Sequence, residues 1–194
     1  MESIDYCKRV YRATLQMLLH PAEEWGNIKH TSSSGRMLSE FLYPMIMFCG
    51  SALILGRIIS NGISLTAIYS SLVDAAMCTF SMLAAYYLAT PIVGFITAKL
   101  SDSSAGHDTV SLFTGYSMTV VLVLVICTGI FPQFSLLALI LQFYTLRVVW
   151  EGASVLLDVR ARHRFTYTVI VSFVIVALPV ITNKVIGLLT SILN

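Results

Sequence analysis

Five ionisable side chains lie inside otherwise apolar stretches of this sequence. They are Arg57, Asp74, Arg147, Glu151 and Lys184. Side chains of these types could form ion pairs, conduct ions or bind a ligand. A charged group is expensive to bury in an apolar layer, so its presence indicates a partner group, an ion pathway or a ligand site. The spacing of these residues therefore decides which chemistry is open to the chain.

Arg147 and Glu151 are four residues apart, which places them on one face of a helix. If that helix runs straight to Asp158, Arg147 lies roughly 16 Å deep in the apolar layer. At that depth we expect its guanidinium to face the other helices and to pair with Glu151. Gln142 and Tyr144 are close in sequence. Such a pair either holds a helix bundle together or lines a charged cavity for an ion, a proton or a lipid head group.

Arg57, Asp74 and Lys184 fall at a similar depth, near the other edge of the apolar layer. Arg57 and Asp74 lie on neighbouring segments joined by a short loop, so an ion pair between them is geometrically easy. The simpler alternative is that Arg57 and Lys184 extend to the lipid head groups. The candidate intramembrane polar site therefore comprises Arg147, Glu151, Arg57 and Asp74.

The sequence carries no arrangement typical of an enzyme, a metal site or a cofactor site. The motifs G-x-S-x-G, H-E-x-x-H and G-x-x-x-x-G-K-[ST] are absent. The four cysteines show no C-x-x-C spacing, and the four histidines are scattered. We therefore predict a protein that is not an enzyme, with no catalytic, metal-binding or cofactor-binding residue.

The composition places the whole chain in a membrane. Of its 194 residues, 57% are hydrophobic and 11% are charged, and the mean hydropathy is +0.82. Soluble domains carry about 25% charged residues. This imbalance excludes a disordered chain, a disulfide-stapled secreted module and a nucleic-acid-binding domain. The predicted fold class is an all-α, polytopic membrane protein.

Five apolar segments are long enough to cross a bilayer, for which about 20 residues suffice. We predict spans at about 41–59, 68–98, 110–131, 134–157 and 166–193, within a transmembrane domain over residues 37–194. Five positive residues precede the first span. The first and third connections between spans hold no positive residue, the second holds one and the fourth holds three. By the positive-inside rule, the N-terminus is cytoplasmic and the C-terminus lies on the opposite side.

Residues 1–36 are predicted to form a cytoplasmic segment that ends in a serine-rich linker. Its first 20 residues fit an amphipathic helix, whose apolar face comprises Ile4, Cys7, Tyr11, Leu15 and Leu18. Such a helix either lies in the head-group region of an anionic leaflet or packs on its own protein. The candidate contacts for a partner or for lipid are Pro21, Trp25, Lys8, Arg9 and Arg12.

Four short motifs occur in a recognisable order along the chain. They are Pro21-x-x-x-Trp25-x-x-Ile28, Pro91-Ile92-Val93-Gly94, Gly115-Tyr116-Ser117, and Tyr144-Thr145-Leu146 followed by Gly152. Together with five spans and a cytoplasmic N-terminus, they resemble the Yip family of five-pass membrane proteins, named for interaction with Ypt/Rab GTPases. The short N-terminal region is most similar to bacterial members, although Met118-Thr119-Val120 stands where a proline is expected.

The resemblance implies a non-enzymatic protein of membrane organisation or of assembly with other membrane proteins. Eukaryotic members act in vesicle trafficking as partners of Rab GTPases, but a bacterial member, in the inner membrane, has no Rab to bind. The expected partners are the lipid bilayer and other membrane proteins, with no nucleic acid. The alternative is a small transporter or channel whose charged cavity is lined by Arg147, Glu151 and Asp74.

Overall fold

A computed structural model describes residues 2–101 and 105–193, and these residues are almost entirely helical. Two helices, α1 (Glu2–Leu19) and α2 (Pro21–Thr31), precede the bundle. The bundle itself consists of α3 (Ser34–Met37), α4 (Tyr43–Asn61), α5 (Leu65–Leu100), α6 (His107–Ser117), α7 (Thr119–Ile130), α8 (Ser135–Leu141), α9 (Tyr144–Val155) and α10 (Arg164–Leu193). A π-helical segment, Leu38–Leu42, joins α3 to α4, and a 3₁₀ turn, Pro132–Phe134, precedes α8.

Four helices are long and apolar enough to cross a membrane. They are Ser34–Ser60, Leu65–Leu100, His107–Ile130 and Arg164–Ile192. A bent pair, Pro132–Leu141 and Tyr144–Val155, provides a fifth crossing if it counts as one span. The predicted all-helical membrane fold is therefore confirmed, with four or five candidate spans. The cytoplasmic placement of α1 stays a prediction.

The bend between α8 and α9 has a local cause in the backbone hydrogen bonds. The N–H of Phe143 donates to the carbonyl of Ile140, and the N–H of Thr145 donates to the carbonyl of Gln142. Both bonds reach three residues back instead of four, so the chain tightens into a 3₁₀-like turn. The two helices on either side of this turn differ in direction by 42°.

Small residues let α4 and α7 approach each other closely. A Cβ atom added at Gly56 would overlap the carbonyl group of Gly129. A Cβ atom added at Gly129 would in turn lie 3.3 Å from the backbone of Ala52 and Leu53. Close backbone approach at small residues is a common way to pack helices in lipid.

Hydroxyl groups join α5 to α10. The Ser81 hydroxyl donates to the carbonyl of Pro179 over 3.1 Å, and the Thr182 hydroxyl lies 3.0 Å from the carbonyl oxygen of Ser81. Nearer the other end of the same helix pair, the hydroxyls of Thr97 and Tyr167 are 2.9 Å apart. These buried polar groups satisfy one another, so they hold the two longest helices in register.

Candidate functional site

Arg57 and Asp74 form an ion pair between α4 and α5, with 2.5 Å between Nη2 and Oδ2. The two side chains are 48% and 31% exposed, so the pair lies on the lateral surface of the bundle. Arg57 therefore has a protein partner, whereas Lys184 is exposed on α10. Each charge of the Arg57–Asp74 pair is balanced by the other, which makes the pair a link between two helices.

Arg147 and Glu151 do not form the predicted ion pair, and this expectation was wrong. Arg147 is exposed, and its guanidinium lies over the ring of Tyr144, 5.9 Å from the ring centre. Glu151 is half-buried, and within the described residues no cationic side chain lies within 4.0 Å of it. The candidate polar site therefore divides into one ion pair and two separate side chains.

The physical reason lies in the packing of α9. Arg147 and Glu151 stand together on one unbroken helix, because the bend at Gln142–Phe143 comes before both of them. The buried face of α9 carries no charge, and it consists of Thr145, Val148, Val149, Gly152 and Ala153. Arg147 is on the outward side of this helix and cannot reach the centre of the bundle.

Trp25 is the centre of the N-terminal motif, and it is fully buried. Its indole N–H donates to the carbonyl of Val148 on α9 over 3.0 Å. Its ring stacks on Phe113 with 5.5 Å between ring centres, and it meets Tyr116 edge-on at 6.2 Å. A buried tryptophan needs a partner for its N–H, and here a backbone carbonyl provides one. Trp25 therefore locks α2 onto α6 and α9.

Gly152 makes room for this contact. A Cβ atom at Gly152 would lie 2.6 Å from the Trp25 ring and 2.8 Å from the Phe113 ring. Because Gly152 follows Val148 by one turn and has no side chain, the Val148 carbonyl stays open to the indole. Trp25, Tyr116 and Gly152 come from three of the four motifs noted in the sequence, so those motifs meet at one packing site.

The other end of α2 is also attached to α9. Lys29 Nζ donates to the carbonyl of Val155 over 2.8 Å, and Ile28 is buried. Pro21, at the start of α2, is buried as well. Pro21 and Trp25 were predicted contacts for a partner or for lipid, but a partner could reach them only if α2 left the bundle.

The face that α1 packs on the bundle differs from the apolar face predicted for it. Val10 and Met17 are buried, whereas Cys7, Tyr11 and Leu15 are exposed. Leu18 is half-buried, and the side chain of Ile4 lies outside the described part of the structure. The predicted apolar face is therefore mostly a free surface beside the packed one, and Tyr11 on it is 68% exposed.

Lys8, Arg9 and Arg12 lie on a third face of α1 and are exposed. Between α1 and the bundle runs an apolar groove of about 440 Å³. We call it the α1 groove; its lining includes Cys7, Tyr11, Leu15, Phe48, Ile126 and Cys127. The exposed apolar face thus lines the groove, and Lys8 and Arg12 lie on the neighbouring face of α1.

Sequence reasoning missed Phe113 and Val148, which hold Trp25. A phenylalanine and a valine in apolar spans carry no distinguishing signal, because such residues fill every span of this chain. Gly152 did carry a signal, since it stood within a recognised motif, but its contact with Trp25 depends on the fold. Among the described residues, no group of three or more His, Cys, Asp and Glu side chains could hold a metal ion.

Long apolar helices, interhelical hydroxyl bonds and close glycine contacts define a multi-pass integral membrane protein. The family model of the Yip1 domain matches residues 15–182, which is most of the chain. The chain therefore belongs to the Yip family, and the resemblance seen in its motifs is confirmed. The matched region begins within α1, includes α2 with Trp25, and ends at Thr182 in α10. Comparison with curated proteins and with solved structures gave no match.

Proposed function

We propose that this chain is a non-enzymatic scaffold of the membrane that assembles with other membrane proteins through α1. The observation that carries the proposal is the division of α1 into three faces. One face packs on the bundle through Val10 and Met17. A second is exposed and apolar around Tyr11 and Leu15, and a third is basic.

The position of α1 is supported at its C-terminal end. The Tyr144 hydroxyl donates to the carbonyl of Leu18 over 2.6 Å. Directly after α1, α2 is held by the buried Trp25. A helix attached at this end presents its remaining faces at a defined place on the bundle. Because α1 is already ordered, less conformational entropy is lost when a partner binds.

The exposed faces of α1 indicate the chemistry of the partner. An apolar stripe beside a basic stripe is typical of helices at a membrane surface. Lys8 and Arg12 complement an acidic segment, and Tyr11 and Leu15 complement an apolar one. The proposed partner is therefore a membrane protein with an acidic segment next to its membrane-spanning helix.

Point substitutions on α1 test this proposal. We expect Lys8→Glu with Arg12→Glu to abolish cross-linking to the partner in native membranes, because both contact charges are reversed. The matched control is Arg162→Glu with Lys184→Glu, which changes the net charge equally at exposed positions away from α1. Mass spectrometry of the cross-linked proteins provides the readout. Identical partners for both double variants would contradict the proposal.

Deletion of residues 1–30 would be a poorer test of binding. That deletion removes Trp25 and Ile28 from the core, so we expect it to open the packing against α6 and α9. Loss of a partner would then report loss of folding as well as loss of α1. The double variants above leave Val10, Met17 and Trp25 in place.

We further propose that α8 and α9 cross the membrane as one broken span. A bend of 42° keeps both helices pointing in the same general direction, whereas a re-entrant loop reverses the chain. Five crossings put the residues before the first span and the C-terminus on opposite sides of the membrane, and the distribution of positive residues supports a cytoplasmic position for the former. For a bacterial source, the membrane is the inner membrane.

The transporter alternative has less support in the geometry. It requires a polar cavity that reaches Glu151, and Glu151 does not line the α1 groove or either of two further cavities among the described residues, one between α9 and α10 and one between α5 and α6. Glu151→Gln would slow solute flux into liposomes if Glu151 carried an ion or a proton. Under the scaffold proposal, we expect no flux above that of protein-free liposomes for either form.

A further inference from the structure

Three hydrogen-bond donors that have no partner among residues 2–101 and 105–193 are aligned on one face of α10. They are Nε of Arg164 and the hydroxyls of Thr168 and Ser172, and all three atoms are buried. Their spacing of four residues places them on one side of the helix. An unpaired polar group in an apolar layer costs free energy. The row of donors is therefore suited to acceptors from a bound molecule.

The two hydroxyls differ from other hydroxyls in the helices of this chain. Thr90, Thr97 and Thr182 each donate to the carbonyl four residues earlier. Thr168 and Ser172 are 3% and 4% exposed, yet neither makes such a bond. Buried hydroxyls normally find an acceptor. The hydroxyls of Ser117 and Thr145 also lack one among the described residues, but only Thr168 and Ser172 stand in a row with a third such donor, on Arg164.

Ser172 lines a groove of about 440 Å³ on the lateral face of the bundle. The groove lies between the bent pair α8–α9 and α10, and we call it the α9–α10 groove. Its lining includes Leu139, Gln142, Leu146, Ser172, Phe173 and Val176. The walls are apolar except at Gln142 and Ser172. In a membrane, a lateral groove of this kind is bathed by lipid acyl chains.

A positive charge lies on the same pair of helices, outside the lining of the groove. One turn beyond Leu146 on α9 is Trp150, and two turns before Ser172 on α10 is Arg164. The Arg164 guanidinium lies over the Trp150 ring, 5.6 Å from the ring centre. The two helices that form the walls of the groove therefore meet at a cation one to two turns beyond its lining, and along α10 Thr168 lies between that cation and Ser172.

We propose that the α9–α10 groove binds one anionic phospholipid. The phosphate pairs with Arg164, the ester carbonyls accept hydrogen bonds from Thr168 and Ser172, and one acyl chain lies along Leu146 and Val176. Each part of the lipid has a complementary group on the protein. The anionic phosphate pairs with a guanidinium, the carbonyl acceptors face hydroxyl donors, and the hydrocarbon chain packs on apolar walls. Arg164 and Ser172 are about 12 Å apart along the helix, so the row follows the lipid from head group to chain.

Native mass spectrometry of the full chain released from nanodiscs tests this site. The nanodiscs contain equal amounts of phosphatidylglycerol and phosphatidylcholine, and lipids that remain bound are counted. We expect one retained phosphatidylglycerol per chain. Arg164→Gln should weaken its retention by about tenfold or more, because a charge-assisted hydrogen bond is lost. Thr168→Val with Ser172→Ala should weaken it several-fold.

Matched controls stand on the same part of the chain. Arg162→Gln removes an exposed arginine two residues from Arg164. Ser191→Ala removes an exposed hydroxyl of α10 that donates to the Leu188 carbonyl. Neither should change lipid retention. If Arg164→Gln does not fold, Leu146→Trp fills the groove instead and should expel the lipid.

Three results would overturn the proposal. Equal retention of phosphatidylcholine would exclude a role for the anionic head group. Displacement by inorganic phosphate alone would show a free-phosphate site without a place for the chain. Unchanged retention in folded Arg164→Gln or Leu146→Trp protein would place the bound lipid elsewhere.

Discussion

Trp25 attaches the N-terminal motif to the bundle through contacts of different kinds. Its N–H bonds to the Val148 carbonyl, its ring stacks on Phe113, and Gly152 leaves the space that it fills. A large aromatic ring contributes much apolar contact, and its polar group is satisfied. We infer that α2 is a structural part of the membrane domain.

Substitution of Trp25 tests this inference at the residue scale. We expect Trp25→Ala to lower the free energy of unfolding by about 3–5 kcal/mol, as for other large-to-small core changes. Trp25→Phe keeps the stacking on Phe113 and should cost distinctly less. Thermal unfolding in detergent micelles measures both. An alanine variant as stable as the parent chain would show that the motif does not hold the fold.

The two charged pairs show how far single residues could be predicted. Arg57 and Asp74 lie on adjacent helices joined by a short turn, so their proximity follows from any hairpin of spans. Arg147 and Glu151 do share one unbroken helix, but their predicted pairing also required that helix to turn Arg147 towards the bundle. The face with Val148, Val149 and Gly152 packs instead, and the spacing of the two charges does not reveal which face packs.

At the scale of elements, helices were more predictable than the faces on which they pack. A helix in the first 20 residues follows from its periodicity, and α1 is present over Glu2–Leu19. However, α1 has two sets of apolar positions, and either set could pack on the bundle. The set with Val10 and Met17 packs, whereas the set with Tyr11 and Leu15 stays exposed, because the shape of the bundle decides between them.

The contact between α4 and α7 supplies a prediction at this scale. We expect Gly56→Ala to destabilise the bundle by about 1–3 kcal/mol, because the new methyl group meets the rigid backbone of Gly129. Gly115→Ala is the matched control, since its methyl group would meet only the flexible end of Met37. Denaturation in detergent compares the two. Equal stability of both variants would argue against a close α4–α7 contact.

For the whole molecule, composition was enough to predict a helical membrane protein, whereas the resemblance to the Yip family rested on the short motifs. The apolar segments and the charge distribution predicted five crossings, whereas the structure supports four or five, because α8 and α9 are each too short to cross alone. Together, α8 and α9 span a bilayer only if both helices point in the same general direction across the bend. The number of crossings is thus a property of the assembled bundle.

Accessibility from the two sides of the membrane tests the topology. In a chain whose own cysteines are replaced by serine, we expect Ser33→Cys to react with an impermeant maleimide only after the membrane is opened. Ser191→Cys should react in intact cells, because five crossings put the two positions on opposite sides. Reaction of both from the same side would mean that α8 and α9 form a re-entrant loop.

The central claim is that α1 and α2 are held on the bundle, so that α1 offers a defined contact surface. Cys7 on α1 and Cys127 on α7 are both exposed and both line the α1 groove, so a membrane-permeant bismaleimide provides the most direct measurement. We predict a cross-link within one chain in native membranes, which disappears in Cys7→Ser, in Cys127→Ser and in Trp25→Ala. Absence of that cross-link in the parent chain, or its persistence in Trp25→Ala, would contradict the claim.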